Sequence, residues 1–270
     1  MGGANNLYLC DPVTRNEISK AVFALRNQGR FYDLKDARLD RTFHGSIDRF
    51  IEIAWRFDGR KRVLDVSSGL GMLLALLKEL GHDCCGVDLA DRATMETYAK
   101  RGVELKVCNA EVDPLPYDDN SFDAACCCQV LEHFTHSHLP AIREMFRVLK
   151  PGGIIELDVP NVSSFRNVTR ILRGKNITWD YEKCYLHGKP ILHAGHSFYP
   201  FRHNREFARH ELELLLRAAG FTQIEVSYLK SRRHREGLDK LRSIGTAVRD
   251  LIPVYRKSLI AFGIKPHGGA

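Results

Sequence analysis

Apolar residues recur at helical spacing at the start of the chain, then give way near residue 62 to short continuous apolar runs. Ile18, Ala21, Val22 and Leu25 follow Thr14-Arg15-Asn16-Glu17, which has capping-box spacing, and precede Gly29 as a stop. Ile47, Phe50, Ile51 and Ala54 form a second stripe, so a second helix is expected from Ser46. Residues 1–60 thus read as a helical N-terminal extension packed over one edge of the domain that begins at residue 61. Arg30, Tyr32 and His44 are candidates for a substrate entrance there, with a structural role the better reading of each.

From residue 62 the pattern is strand–helix alternation, the signature of a parallel sheet covered on both faces. Strands are expected at Arg62–Ser67, Cys84–Asp88, Leu105–Ala110, Phe122–Gln129 and Ile154–Val159. Helices are expected over Gly71–Leu80, over about 91–100, and along Leu139, Ile142, Met145, Phe146 and Leu149, the last closed by Pro151-Gly152-Gly153. Residues 161–203 break the alternation and are too long for a simple connection, so they read as a functional cap. A helix with Ala208, Leu212, Leu215, Leu216 and Ala219 then leads to a strand near Gln223–Leu229, and a last strand covers Ser258–Ile264. An amphipathic helix with Leu238, Leu241, Ile244, Val248 and Leu251 sits between them. The expected fold is α/β: a Rossmann-like, seven-stranded, mostly parallel sheet with helices on both faces. Residues 61–270 form its domain, with a cap insertion at about 161–203 after the fifth strand and a helical insertion at about 232–256.

Composition narrows the class. The 270 residues are 44% hydrophobic and 27% charged, ordinary for a folded enzyme. No apolar run approaches the roughly 18 residues of a spanning helix, and the first residues lack a signal pattern, so a cytoplasmic protein is expected. Of eight cysteines, five lie in the clusters 84–85 and 126–128, without C-x-x-C spacing. They read as reduced, buried small hydrophobes rather than a zinc site or a disulfide framework. The net charge of +7 is concentrated in Arg232, Arg233, His234, Arg235, Lys240 and Arg242. A solvated basic face explains it better than a nucleic-acid site. The basic, amphipathic 237–252 helix could rest on a membrane surface, with plain packing preferred.

Candidate chemistry begins at Val63–Leu64–Asp65–Val66–Ser67–Ser68–Gly69–Leu70–Gly71, a strand, a glycine turn and a helix start. Glycine there lets the backbone approach a ligand, and the helix start offers N–H groups to it. G-x-G-x-x-G fails at its last glycine. Asp88, 17 residues after Gly71, ends the next strand, where a carboxylate can take ribose hydroxyls. This much says adenosine ligand without saying which.

The later segments Asn109-Ala110-Glu111, Leu115-Pro116-Tyr117, Asn120-Ser121-Phe122-Asp123, Val130-Leu131-Glu132-His133 and Arg147-Val148-Leu149-Lys150-Pro151-Gly152-Gly153 follow in order. As a series they resemble class I S-adenosylmethionine-dependent methyltransferases, particularly the type 11 methyltransferase family. The resemblance covers about residues 60–160 and returns at Leu214–Phe221. It implies a methyltransferase with S-adenosylmethionine as cofactor. It further implies Asp65 facing the cofactor's amino group, and Gly69 and Gly71 approaching its methionine and ribose. Asp88 would bind the ribose hydroxyls, with Leu89 against the adenine; Asn109 and Ala110, beside Glu111, would read the adenine edge, and Gln129 would lie by the sulfonium. Two residues depart from the family. Ser67 replaces its first glycine, where a positive φ would cost about 1 kcal/mol. Asn109 replaces an acid, keeping an oxygen that can accept from an amine.

Methyl transfer from a sulfonium is an in-line displacement, so alignment in a dry pocket is the main task. A hydroxyl acceptor also needs a base. Candidates are His133, and His187, His193, His196 and His203 in the cap, of which His133, His193 and His196 are carried forward. His193-Ala194-Gly195-His196-Ser197-Phe198-Tyr199-Pro200-Phe201 mixes polar and aromatic groups, suited to a polyhydroxylated or ring substrate. No metal is expected, because this H-x-x-H lies in no clear helix and has no carboxylates at ligand spacing. Cys128-Gln129-Val130-Leu131 matches neither the N-P-P-Y-like nor the Pro-Cys pattern of nucleic-acid base methylation. The expected acceptor is a small molecule or glycan-like compound, methylated at oxygen. The alternatives are a silent cofactor-binding protein whose cap holds a partner, or an RNA or protein methyltransferase.

Overall fold

The computed structural model describes residues 13–89, 99, 102–178, 180–193, 196–199, 202–230 and 251–267. Helix α1 (Arg15–Asn27) starts at the expected capping box, with Thr14 and Glu17 bonded reciprocally. Helix α2 (Ala37–Arg56) starts nine residues before the expected Ser46. The carboxylate of Asp36 accepts from Arg38 N and Leu39 N, and Phe43 extends the apolar stripe to the new start.

Strands β1 (Arg62–Val66), β2 (Asp83–Asp88), β3 (Glu104–Val107), β4 (Phe122–Cys128) and β5 (Leu149–Pro160) are parallel and follow the expected order. Helix α3 (Met72–Glu79) follows β1, and α4 (His138–Val148) precedes β5. Two boundaries differ from expectation. β3 stops at Val107, leaving Asn109 and Ala110 on the loop beyond it. β5 begins at Leu149, so Pro151-Gly152-Gly153 lies inside a strand, where Gly152 N bonds to Lys265 O. Hydrogen bonding to the end of the chain overrides the local stop signal.

In the cap, helix α5 (Phe165–Ile171), a π-turn at Glu182–Leu186, and a hairpin of β6 (Ile191–His193) and β7 (His196–Phe198) replace the expected irregular stretch. Helix α6 (Arg209–Ala219), β8 (Thr222–Tyr228) and β9 (Ser258–Ile264) complete the domain. The sheet order is β3-β2-β1-β4-β5-β9-β8, with β9 antiparallel to both neighbours. This is the expected seven-stranded, mostly parallel sheet. One core cluster lies against α4 and α6, and another against α1, α2 and α3. The helix expected near 91–100, the basic residues 232–242 and nearly all of the 237–252 helix lie outside the described residues. Among the described residues no helix is long and apolar enough to cross a membrane.

Strand order reverses between β1 and β4. In such sheets the crevice at the carboxyl ends of the strands, at this reversal, is where ligands sit.

Candidate active site

β1 leads into a turn with three positive φ angles: Ser67 (61°), Gly69 (53°) and Gly71 (65°). Ser67 N and Ser68 N donate to Val87 O at 2.8 and 3.2 Å, pinning the turn to β2. That close approach needs a glycine in β2, since a Cβ on Gly86 would come within 2.8 Å of Ser68 Oγ. A Cβ on Gly69 would meet nothing within 4 Å among the described residues, so the outer face of the turn is open. Ser67 holds its left-handed backbone without glycine's freedom, as the departure from the family pattern implied.

Asp88 closes the turn from β2. Its Oδ2 accepts from Gly69 N at 2.5 Å and its Oδ1 from Leu89 N at 2.7 Å. Burial pushes its carboxyl above the ordinary value although both bonds pull it down. Each oxygen keeps lone-pair capacity for a further donor. On the loop after β3, Asn109 Oδ1 accepts from Glu111 N at 3.2 Å, and Asn109 N donates to Asp113 at 3.1 Å. Burial raises the Glu111 carboxyl, but bonds from the backbone and side chains of His136 and Thr135 outweigh it, and its pKa falls below the usual value. Glu111 therefore clamps the 135–136 loop, at 2.5 Å from Thr135 N and 2.6 Å from His136 N.

These groups enclose a cavity of about 180 Å³. Its lining contains Ser67, Asp88, Leu89, Asn109, Ala110 and Glu111 of the expected set, with Val130, His133, Phe134 and Tyr199. Asp65 lies buried on β1, where desolvation raises its carboxyl to about 7 against the bond it accepts from Cys126 Sγ at 3.5 Å. Gln129 (φ 56°) follows β4; its N donates to Asp158 O at 2.8 Å and its Nε2 to Asp158 Oδ1. A small cavity of about 50 Å³ there is lined by Gln129, Asp158, Asp48 and Arg49. Arg49 reaches it from α2, bonding Asp158 Oδ1 at 2.9 Å, which with neighbouring acids keeps the part-buried guanidinium charged despite desolvation. Arg49 carries no signal in the sequence, because it flanks the apolar stripe like any solvated arginine.

The second large cavity, about 830 Å³, lies under the cap. Asp180, Lys183, His187, Lys189, Arg202 and His203 line it, and it shares His133 and Tyr199 with the first. Residues 202–205 are stitched to the short 3₁₀ turn Leu131–His133: Asn204 N donates to Glu132 O at 2.7 Å and Asn204 Nδ2 to His133 O at 2.8 Å. His133 Nδ1 lies 2.7 Å from Arg202 O, a pure acceptor, so Nδ1 carries the proton and Nε2 a lone pair. Burial holds the His133 pKa below the ordinary value, against the raising effect of that carbonyl, and burial lowers His203 to about 4. Arg202 stacks 3.5 Å from the Tyr199 ring centre. His193 and His196 face each other in the β6–β7 register, and their side chains lie outside the described residues. His44 and Tyr32 sit with Asp40 and Arg26, and Arg30 pairs with Glu79 at 2.8 Å, away from both cavities. The described cysteines are free, and all but Cys128 and Cys184 are buried.

A family model described as a methyltransferase domain matches residues 37–226. The chain belongs to that family, and its class is that of the class I enzymes that use S-adenosylmethionine. Among relatives, a ubiquinone/menaquinone biosynthesis C-methyltransferase UbiE of Pseudomonas fluorescens is 32% identical over 177 residues, covering 62% of this chain and 66% of its own length. A demethylmenaquinone methyltransferase of Thermus thermophilus is 33% identical over 119 residues, 41% of this chain and 54% of its own. The chain thus spans somewhat less than two thirds of the length of these relatives. In fold it is similar to the 1,6-didemethyltoxoflavin-N1-methyltransferase of Burkholderia thailandensis, solved with 1,6-didemethyltoxoflavin and S-adenosylhomocysteine. There the TM-score is 0.54 at 20% identity, covering 96% of this chain and 94% of that one.

The carboxylate of Asp88 and the amide of Asn109 on one cavity, with the open turn at Gly69 bonded to that carboxylate, fit an adenosine-bearing cofactor. Hydroxyls and an exocyclic amine are the donors those oxygens can accept.

Proposed function

We propose that this chain transfers a methyl group to an oxygen of a small, ring-containing or polyhydroxylated acceptor held under the cap. The observation that carries the reading is that His133 and Tyr199 line both cavities, so both border a histidine that keeps a lone pair. In this reading Asp88 takes the ribose hydroxyls, Leu89 and Ala110 cover the adenine, and Asn109 meets its edge. Asp65 and Gln129, with Gly69 and Gly71, border the methionine part. The cofactor supplies an electrophilic methyl on sulfur. The cavity of about 180 Å³ is below the roughly 300–1,000 Å³ that encloses a drug-sized ligand, which suits the adenosine end alone.

The chain's own part is to align and to remove a proton. Arg202 and Tyr199 form a flat polar–aromatic wall against which a ring can lie. His133 Nε2 takes the acceptor's proton as the oxygen–carbon bond forms, because Arg202 O holds the ring in the tautomer that leaves Nε2 basic. Burial keeps that nitrogen unprotonated near neutral pH. His193 and His196, on the hairpin of the same cap, stay second candidates for this role. Reduced, buried thiols support a cytoplasmic location. A ring carbon as acceptor is the second reading, favoured by the C-methyltransferases among the relatives.

Calorimetry with S-adenosylhomocysteine tests the cofactor site first, with micromolar binding expected and none sinking the proposal. Mass spectrometry of a panel of phenols, sugars and quinone-like rings then separates oxygen from carbon methylation. Binding without turnover on any member would point to a silent cofactor-binding protein instead.

A further inference from the structure

We infer that Glu132, His133 and His203 form a binding site for one divalent transition-metal ion of the zinc class, open on one side to the cap cavity. One carboxylate oxygen of Glu132 and one ring nitrogen from each histidine lie within 4.8 Å of one another. Ligand atoms on a tetrahedral zinc are about 3.3 Å apart, so side-chain rotation has to close the set by no more than about 1.5 Å.

Two further observations point to a ligand. Glu132 is 1% exposed, and its Oε2 has no hydrogen-bond partner among the described residues. A buried carboxylate oxygen left without a donor is costly, and a cation at that spot removes the cost. His133 is already oriented as a metal-bound histidine usually is, with its far N–H given to a backbone carbonyl, here Arg202 O at 2.7 Å. That leaves Nε2 as the nitrogen able to bind the ion.

The set is held by hydrogen bonding on three sides, not by chance proximity. Glu132 and His133 belong to one 3₁₀ turn at the end of β4. Asn204 ties the segment after His203 to that turn through Glu132 O and His133 O. Tyr185 Oη donates to His203 O at 2.5 Å from the far wall. Both histidines face the 830 Å³ cavity, which supplies an entry path and a fourth, exchangeable position. Two imidazoles and one carboxylate suit zinc, cobalt(II) or iron(II), whereas magnesium prefers an all-oxygen set. A bound ion takes the His133 lone pair, so occupancy and proton acceptance at that nitrogen exclude each other.

The test is calorimetric titration of Zn²⁺ into the full chain without cofactor or acceptor, which leaves the methyl-transfer reading aside. One equivalent is expected to bind. Glu132→Gln, which keeps the side chain's volume, and His203→Ala should each weaken it by about tenfold or more. His187→Ala, in the same cavity but outside the set, should bind as the unsubstituted chain does. Unchanged S-adenosylhomocysteine affinity in Glu132→Gln shows that the fold is kept. Cobalt(II) should give visible ligand-field absorption without a thiolate charge-transfer band. Zinc binding of full strength in both Glu132→Gln and His203→Ala would overturn the assignment. So would a thiolate band, which would place the ion on cysteine, or the absence of binding by the unsubstituted chain.

Discussion

The two cavities that share His133 in their linings are built with opposite hydrogen-bond polarity. Around the smaller one, side-chain oxygens accept from backbone N–H groups: Asp88 from Gly69 and Leu89, Glu111 from Thr135 and His136, Asn109 from Glu111. Under the cap, side-chain donors give to backbone carbonyls: His133 to Arg202, Arg202 to Cys184, Tyr185 to His203, Asn204 to His133. The first arrangement leaves oxygens for hydroxyls and amines. The second consumes the donors and leaves imidazole lone pairs and a stacked guanidinium. The difference supports the proposed division, with the cofactor on one side and acceptor chemistry on the other.

The largest expected effect comes from the shared residue. His133→Ala should lower turnover by about 10²- to 10⁴-fold, the usual worth of a general base, while S-adenosylhomocysteine affinity stays within a few-fold. Steady-state kinetics beside calorimetry would expose the comparison as mistaken if both fell together. Next is Asp88→Ala, which removes two charge-assisted acceptors worth roughly 1.5 kcal/mol or more each, so cofactor affinity should drop more than tenfold. An unchanged affinity in calorimetry would take Asp88 out of the site.

Two smaller effects read the electrostatics and the backbone. Burial raises the Asp65 carboxyl to about 7 and that of Glu132 to about 8, above their unfolded values of 3.8 and 4.5. A raised folded pKa contributes stability that is present below the unfolded value and lost as pH rises through the folded one. The ligand-free protein should therefore lose stability as pH rises from about 4 to about 8, read as a falling urea midpoint that levels off above, and Glu132→Gln should flatten the part of that loss nearest pH 8. His133 works in the other direction: because its pKa is depressed, turnover should hold steady as pH drops toward 6.5 and decline only below it. The smallest change is Ser67→Gly. Relief of a φ of 61° should raise the unfolding free energy by up to about 1 kcal/mol, measured by urea titration.

Much of the fold and of the cofactor side is legible in the amino-acid sequence. Alternating apolar runs specify the order of strands, because a strand buried on both faces must be apolar throughout. The candidate cofactor residues Asp88, Asn109 and Glu111 are legible in another way, through the motif series that resembles the methyltransferase family. The start of α2 at Ala37 escapes the periodicity although its cap is visible, because the apolar stripe thins before Phe43, where Leu39 is only partly buried.

By itself, then, the sequence determined the strands and their succession along the chain, which rest on local periodicity, and offered the candidate cofactor residues through their motifs. Only the tertiary structure decided that Arg49 of α2 meets Asp158 of β5, and that His203 lies beside Glu132 and His133. These contacts join positions 109 residues apart in the first case and about 70 in the second. No periodicity links such residues. The second meeting depends on where Asn204 stitches the cap back to the turn after β4, an energetic outcome of packing and hydrogen bonding that local pattern does not encode.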